Sequence, residues 1–365
     1  MKIGIVTQSL LGNYGGILQN FALQQVLKKL GHEPITIDYV LSNSAWRYFR
    51  HSTKFHIRRL LGKLKPGETA PARLRTRKPD IDAFVKKHIA TTQMVERYER
   101  NVVEQHGMGA LVVGSDQVWR PKYNRFLEDM YLQFASGCDL KRVAYAASFG
   151  VDRWEYSSAQ TRACSGLAKR FDAVSVREDS GVTLCADHLG VKARKVLDPT
   201  LLLTADDYGR VCVDVPVENE PFVAAYFLRG HGKKSIEANR VFAENLAVKL
   251  GYKLKYFVVD SHNSPTVEQW LAAFRDAAFV ITESFHGTVF SILNHRQFLT
   301  IGNAGRGLAR VSSLLNELGI SDRMISVENY DLSGEIKEID YCEVEKRLDN
   351  LRCDSISFLE NNLNG

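Results

Sequence analysis

The sequence predicts an α/β protein made of two doubly wound parallel sheets in succession. Three observations carry that expectation. The chain opens with an apolar run, Ile3 to Val6, then a glycine-rich loop at Gly12-Asn-Tyr-Gly-Gly16, an amphipathic helix and a second apolar run at Ile35. That is the β–loop–α–β opening of a doubly wound sheet. After a polar, turn-rich stretch from Thr204 to Glu220, the same rhythm restarts at Phe222. Late in the second half, Phe279 to Ile281 leads through Thr282-Glu-Ser-Phe-His-Gly-Thr288 into the apolar-periodic Val289 to Leu293. This reads as a buried strand, a polar turn and a helix.

The elements follow in order. In the first helix Ile17, Phe21, Leu23, Val26, Leu27 and Leu30 keep a 3.6-residue period, and Gly31 ends it. Strands are expected at Ile35 to Asp38, Ala110 to Val113, Arg142 to Ala147, Ala173 to Val176 and Lys195 to Leu197. The second half supplies strands at Phe222 to Leu228, Lys253 to Val259, Phe279 to Ile281 and Gln297 to Ile301, the last closing the sheet. Helices are expected at Ser235 to Leu250, Val267 to Phe274 and Leu308 to Leu318, with a closing helix, Val344 to Leu363, crossing back onto the first domain. A length of 365 residues fits two domains of ordinary size. The expected division is 1–210, 211–340 and a closing helix at 341–365.

Residues 45–78 break this rhythm. From 47 to 87 there are thirteen Lys/Arg against three Asp/Glu, although the whole chain carries only +6. Cations alternate with Trp46, Phe49, Phe55, Leu60 and Leu61. Such a segment either lies on an anionic membrane surface or is a solvated insertion covering the sheet edge. No nucleic-acid module accompanies it, so nucleic acid is not an expected partner. No run approaches the ~18 apolar residues of a membrane span. The N-terminal apolar run is too short for a signal peptide, so a cytoplasmic location is expected. Six cysteines form no Cys-x-x-Cys pair, and His188 after Cys185 has no second pair of ligands, so neither zinc nor disulfides are expected.

Ligands of open α/β sheets bind outside the carboxyl ends of the strands. Glu283, Ser284, Phe285, His286 and Gly287 stand at such an end, where a helix start favours an anion. Histidine is the side chain that changes charge near neutral pH, which makes His286 the leading catalytic candidate. Glu283 and Asp116 follow as alternative bases. Gly114-Ser115-Asp116-Gln117 stands at another strand end, with Trp119 beside it. Carboxylate, amide and indole together suit a sugar's hydroxyls and apolar face. Asn13, Tyr14 and Gly15, in the first loop, hold a phosphate or a sugar, or make only a tight turn. The loop lacks the Gly-x-Gly-x-x-Gly dinucleotide pattern.

Several motifs together resemble the polysaccharide pyruvyl transferase family. They are Asn13 to Gln24, Gly114 to Trp119, Ser175 to Glu178, Leu197 to Leu202, Ser284 to Thr288 and Arg306 to Leu315. The resemblance implies two Rossmann-like domains arranged as in GT-B glycosyltransferases, with the site in the cleft between them. It implies phosphoenolpyruvate as donor and a sugar, free or lipid-linked, as acceptor, with no other cofactor. The family's key histidine falls on His286 and its donor-binding arginine on Arg177. Some members carry arginine two places before the histidine, where this chain has Ser284.

Phosphoenolpyruvate bears a carboxylate and a phosphate, and arginine forks bind both. Arg177, Arg306, Arg229 and Arg310 are therefore the expected donor anchors, with Ser284, Phe285 and Gly287 around them. Asn13, Tyr14, Gly15, Ser115, Asp116, Gln117 and Trp119 are the expected acceptor side. Two other readings share the same sequence. One is a GT-B glycosyltransferase using a nucleotide sugar, and the other a non-catalytic sugar-binding subunit of an envelope-assembly complex.

Overall fold

A computed structural model describes residues 1–40, 45–63, 76–228, 233–257, 264–302 and 308–364; the side chains of 45–51 and 233–235 lie outside that description. The first half runs β1 (Lys2–Val6), α1 (Tyr14–Lys29), β2 (Glu33–Thr36), α2 (Ala45–Leu60), α3 (Pro79–His88), α4 (Arg100–His106), β3 (Ala110–Val113), β4 (Lys141–Ala147), α5 (Ser158–Ala168), β5 (Ala173–Val176), α6 (Asp179–Leu184), β6 (Arg194–Lys195) and α7 (Ala205–Gly209). The second half runs β7 (Phe222–Tyr226), α8 (Lys233–Leu250), β8 (Lys253–Phe257), α9 (Val267–Asp276), β9 (Phe279–Thr282), α10 (Phe285–Leu293), β10 (Gln297–Ile301), α11 (Leu308–Leu318), β11 (Met324–Ile325) and α12 (Tyr341–Leu363).

Two sheets form, as expected. The first has the order β2-β1-β3-β4-β5-β6 and the second β11-β10-β9-β7-β8. Every pairing between these strands is parallel. Both sheets are built outward in two directions from a point between their first and third strands. Those switch points, β1/β3 and β7/β9, are where an open sheet leaves a crevice for a ligand.

One apolar cluster ties the halves together. It joins Ile3, Ile5 and Tyr145 of the first sheet to Tyr226, Val280 and Phe298 of the second through α1, α9 and α10. Rings carry the contact: Tyr208 meets Phe290 at 4.8 Å between centroids, and Tyr14 meets Trp270 at 6.1 Å. All nine residues of α10 are buried, and its polar members, His286, Thr288 and Ser291, are buried with the rest. Helix α12 crosses back as expected. Ser355 Oγ accepts from Leu197 N at 3.0 Å, Arg352 Nε donates to Leu201 O at 2.8 Å, and Phe358 packs on Tyr145.

Several boundaries differ from the sequence reading. Helix α10 starts at Phe285, not near Val289, because the Ser284 hydroxyl caps it by accepting from Gly287 N. Strand β2 lies at Glu33–Thr36, and β6 is only Arg194–Lys195. Strand β10 does not close its sheet, since β11 pairs outside it. The buried amides of α1 have structural roles. Gln24 Nε2 donates to Thr36 Oγ1 and Ala90 O, while Gln19 bridges Thr7 Oγ1 and Ser115 N. These bonds hold the ends of β1, β2 and β3 in register.

Candidate active site

The two switch points face each other across a cleft of about 360 Å³. The first half lines it with Gln8, Asn13, Tyr14, Asp116 and Gln117, the second with Leu228, Glu283, Ser284, Phe285, His286 and Arg310. His286 is the second residue of α10 and is 6% exposed. Its ring is seated on the start of α1: a Cβ added to Gly15 would stand 2.0 Å from His286 Nδ1. Two helix N-termini therefore meet at the histidine, and both positive ends point at the same spot. The Asn13 side chain does not cap α1; its Nδ2 donates instead to Asp116 Oδ2 at 3.3 Å.

A buried charge cluster lies behind His286. Its Nε2 is 3.8 Å from Asp198 Oδ1, an electrostatic contact longer than a hydrogen bond. Asp198 also accepts from Thr200 N (3.0 Å), Thr200 Oγ1 (2.6 Å), Ser115 Oγ (3.1 Å) and Arg177 Nη1 (2.5 Å). Arg177 Nη2 reaches Asp116 Oδ1 at 3.2 Å, and Arg310 Nη1 approaches the same oxygen at 3.8 Å. The Phe285 ring carries both guanidiniums, at 4.6 Å for Arg177 and 5.7 Å for Arg310.

The electrostatics follow from that packing. Burial acts to raise the Asp198 carboxyl, but His286 and Arg177 outweigh it and hold the carboxyl well below the usual range. Asp116 is likewise lowered against burial by Arg177, His286 and Arg310. Burial, reinforced by Arg177, brings the Arg310 guanidinium down to about 10, so it stays charged at neutral pH. Two arginines thus face three carboxylates, Asp116, Glu178 and Asp198. Arg177 is neutralised beneath the wall, while Arg310 and the two helix ends reach the cleft, where they meet added negative charge.

His286, Glu283, Ser284, Phe285, Asp116, Gln117, Asn13, Tyr14 and Arg310 all reach the cleft wall. Glu283 Oε1 accepts from Leu228 N at 2.6 Å, which ties it to the end of β7. Five expectations need correction. Trp119 is fully buried, stacked on Tyr131 at 4.8 Å with its Nε1 donating to Met130 O, so it offers no sugar platform. Ser115 is also fully buried, and its hydroxyl is spent on Ala146 O and Asp198. Arg177 does not line the cleft; its side chain is 2% exposed and paired with both aspartates beneath the wall. Gly287 is small because Thr282 Oγ1 would lie 2.4 Å from its Cβ, not because a ligand approaches. Gly15 seats the histidine rather than an acceptor. Arg229 and Arg306 lie outside the described residues.

Asp198 is the residue that the sequence reading missed as part of the site. Its signal was there: a strand end followed by Pro199, inside a motif that the resemblance already included. Among the described residues, no three His, Cys, Asp or Glu side chains are grouped to hold a metal. No helix among those residues is long and apolar enough to cross a membrane.

The Gly15–His286 contact makes a direct prediction. Gly15→Ala must push the imidazole away from its seat, because no real Cβ tolerates a 2.0 Å contact. A displacement near 1 Å at a reacting group costs roughly 10²-fold in rate. Turnover should fall by about that much while the thermal midpoint moves little. Wild-type turnover in Gly15→Ala would mean that the ring's position does not matter.

A model of the polysaccharide pyruvyl transferase family matches residues 13–305. No curated protein sequence matches the chain. Among solved structures the chain is similar to the S. aureus MnaA–UDP co-structure, with a TM-score of 0.49 and 8% identity over 99% of this chain and 90% of that one. It is also similar to the UDP-GlcNAc 2-epimerase from Neisseria meningitidis bound to UDP-GlcNAc, with a TM-score of 0.46 and 11% identity over 96% and 99% of the two chains. For the E. coli heptosyltransferase WaaC with ADP the values are 0.41 and 13%, over 96% and 100%. Likenesses this distant say nothing about substrate.

Proposed function

The chain belongs to the polysaccharide pyruvyl transferase family and is a transferase, and from that premise we propose that it moves pyruvate from phosphoenolpyruvate to a sugar of a lipid-linked repeat unit. The products are a cyclic pyruvate ketal and inorganic phosphate. The observation that carries this reading is His286, facing Asp198 at the meeting of two helix N-termini inside the cleft. That spot favours a small anion next to a group able to give and take a proton.

The reaction needs two kinds of proton transfer. A proton goes to the methylene carbon of the donor, and a sugar hydroxyl attacks the cationic carbon that results. Phosphate then leaves with the C–O bond electrons, and a second hydroxyl of the same sugar closes the ketal, releasing its proton. His286 supplies the first proton or accepts one from the attacking hydroxyl. Nε2 faces the buried Asp198, and Nδ1 lies against the start of α1 at the cleft wall. Asp198 orients the ring. Glu283 is the alternative base. Arg310 and the amides at the starts of α1 and α10 hold the donor's charges, while Asn13, Tyr14 and Gln117 take the acceptor. The reading involves no metal and no cofactor beyond phosphoenolpyruvate, and it places the enzyme in the cytoplasm.

Phosphate release from phosphoenolpyruvate, measured with a panel of free and lipid-linked galactosides and N-acetylhexosamines, tests this directly. The expected result is release that depends on one acceptor class, with a new ketal methyl signal in the product. Binding of a nucleotide sugar, with phosphoenolpyruvate ignored, would replace this reading by a glycosyltransferase. Arg310→Ala should raise the KM for phosphoenolpyruvate, because one charge-assisted anchor is worth ~1.5–3 kcal/mol, or roughly 10–150-fold. A changed acceptor KM instead would move Arg310 to the other side of the cleft.

A further inference from the structure

We infer that helix α2 is a docking surface for an anionic lipid bilayer, rooted at the mouth of the cleft. Four observations carry this, and none depends on the chemistry proposed above. The first is charge. Between Asp38 and Glu68 the chain has no Asp or Glu and seven Lys/Arg. An ordinary solvated helix mixes both signs, whereas an acid-free helix complements a negative surface.

The second is an exposed apolar stripe. Ile57, Leu60 and Leu61 are spaced i, i+3 and i+4, so they share one face of the helix. They are 52%, 86% and 60% exposed. The helical turn continues through Leu61, whose N–H donates to Ile57 O at 3.0 Å, before Gly62 turns the chain at φ +61. The third is the flanks. Lys54, His56, Arg59 and Lys63 are exposed beside the stripe, and Arg58 is half-buried. Basic side chains around an apolar stripe match a helix lying in a membrane interface, with aliphatic groups below the headgroup plane and cations among the headgroups. A polyanion such as nucleic acid would use the cations and leave the leucines in water.

The fourth is position. The excursion that holds α2 leaves after Asp38 and returns at Arg77, and these two form a buried ion pair with side chains 3% and 6% exposed. Arg77 Nε also donates to Leu10 O at 3.2 Å, next to Gly12 and Asn13 of the cleft wall. Lys78 Nζ donates to Ser264 Oγ at 2.8 Å, on the opposite half. The root of the excursion therefore sits where the two halves meet at the cleft.

Co-sedimentation with vesicles tests the inference. The wild-type protein should bind vesicles of equimolar phosphatidylglycerol and phosphatidylcholine, and bind pure phosphatidylcholine vesicles far more weakly. A cation near an anionic surface strengthens partition about fivefold. Replacing Lys54, Arg58, Arg59 and Lys63 together by Gln should therefore weaken binding by about a hundredfold or more. Replacing Ile57, Leu60 and Leu61 by Ser removes the salt-insensitive part, at roughly tenfold for each buried aliphatic group. In ~1 M salt, where screening acts within about 3 Å, the wild type should keep weak binding and the serine variant none. The seven substitutions lie on α2 and the turn that follows it, six of them at exposed positions, and circular dichroism melts confirm that each variant is folded. Equal binding of wild type and charge variant, or no binding at low salt, would overturn the inference. So would a serine variant that binds like wild type, which would leave only a general polyanion patch. A wild-type dimer that the serine variant turns into a monomer would make the stripe a contact between copies.

Discussion

His286→Ala is expected to lower kcat by roughly 10²–10⁴-fold, the range for a positioned acid or base, while leaving the fold intact. The two halves of that expectation have separate grounds. The rate loss follows from the ring's place in the cleft, facing Asp198 on one side and the start of α1 on the other. The intact fold follows from what stays behind. Without the imidazole, Asp198 still accepts from Arg177, Ser115 and both Thr200 donors, so no buried charge loses its last partner. His286→Gln is a useful second variant, since it keeps hydrogen-bonding capacity but cannot shuttle a proton. Both should melt near wild type and both should be nearly inactive. Turnover within a few-fold of wild type in either would remove His286 from the proton-transfer role.

Asp198→Asn should be the most destabilising of the substitutions considered. It removes one of the two carboxylates that neutralise Arg177 in a site where the arginine side chain is 2% exposed. Breaking a buried ion pair from one side costs ~3–5 kcal/mol, because the remaining charge is left uncompensated. The pH dependence gives an independent sign. The Asp198 carboxyl is held below its ordinary 3.8 in the folded protein. A depressed folded-state value means that the unfolded chain binds the proton first. The stabilisation is therefore fully present above the ordinary carboxyl range and is lost as pH falls from about 4 toward the folded value. Asp116 is shifted the same way and adds to that loss. Urea melts from neutral pH down into the acid range should show wild-type stability falling below about pH 4, and a flatter slope in Asp198→Asn. A loss under ~1 kcal/mol with an unchanged acid slope would mean that the cluster is not energetically coupled as its geometry implies.

Much of this architecture is written locally. Hydrophobic period alone marks α1, and Gly31, at φ +82, stops it where a left-handed residue is needed. The short apolar runs at Lys2–Val6, Ala110–Val113 and Phe279–Thr282 become parallel strands, because a run buried on both faces has no polar alternation to show. The rule that polar residues after such strands face a ligand crevice placed His286, Glu283, Asp116 and Gln117 on the cleft wall.

What the local pattern does not carry is which strand ends converge and what they leave exposed. Trp119 reads like a sugar platform from its neighbours, but the turn after β3 folds it into the core against Tyr131. Arg177 reads like an anion anchor, but the ends of β3 and β6 bring Asp116 and Asp198 to it, and a buried cation must take the carboxylates at hand. Gly15 reads like part of a loop and proves to be the floor under a histidine from the other half of the chain. The sequence by itself determined the elements, the two sheets and the crevice, because those rest on side-chain period and on glycine and proline at chain turns. The tertiary structure alone decided which of the polar residues at the crevice face solvent and which neutralise each other, because burial and charge pairing are set by distances between segments far apart in the chain.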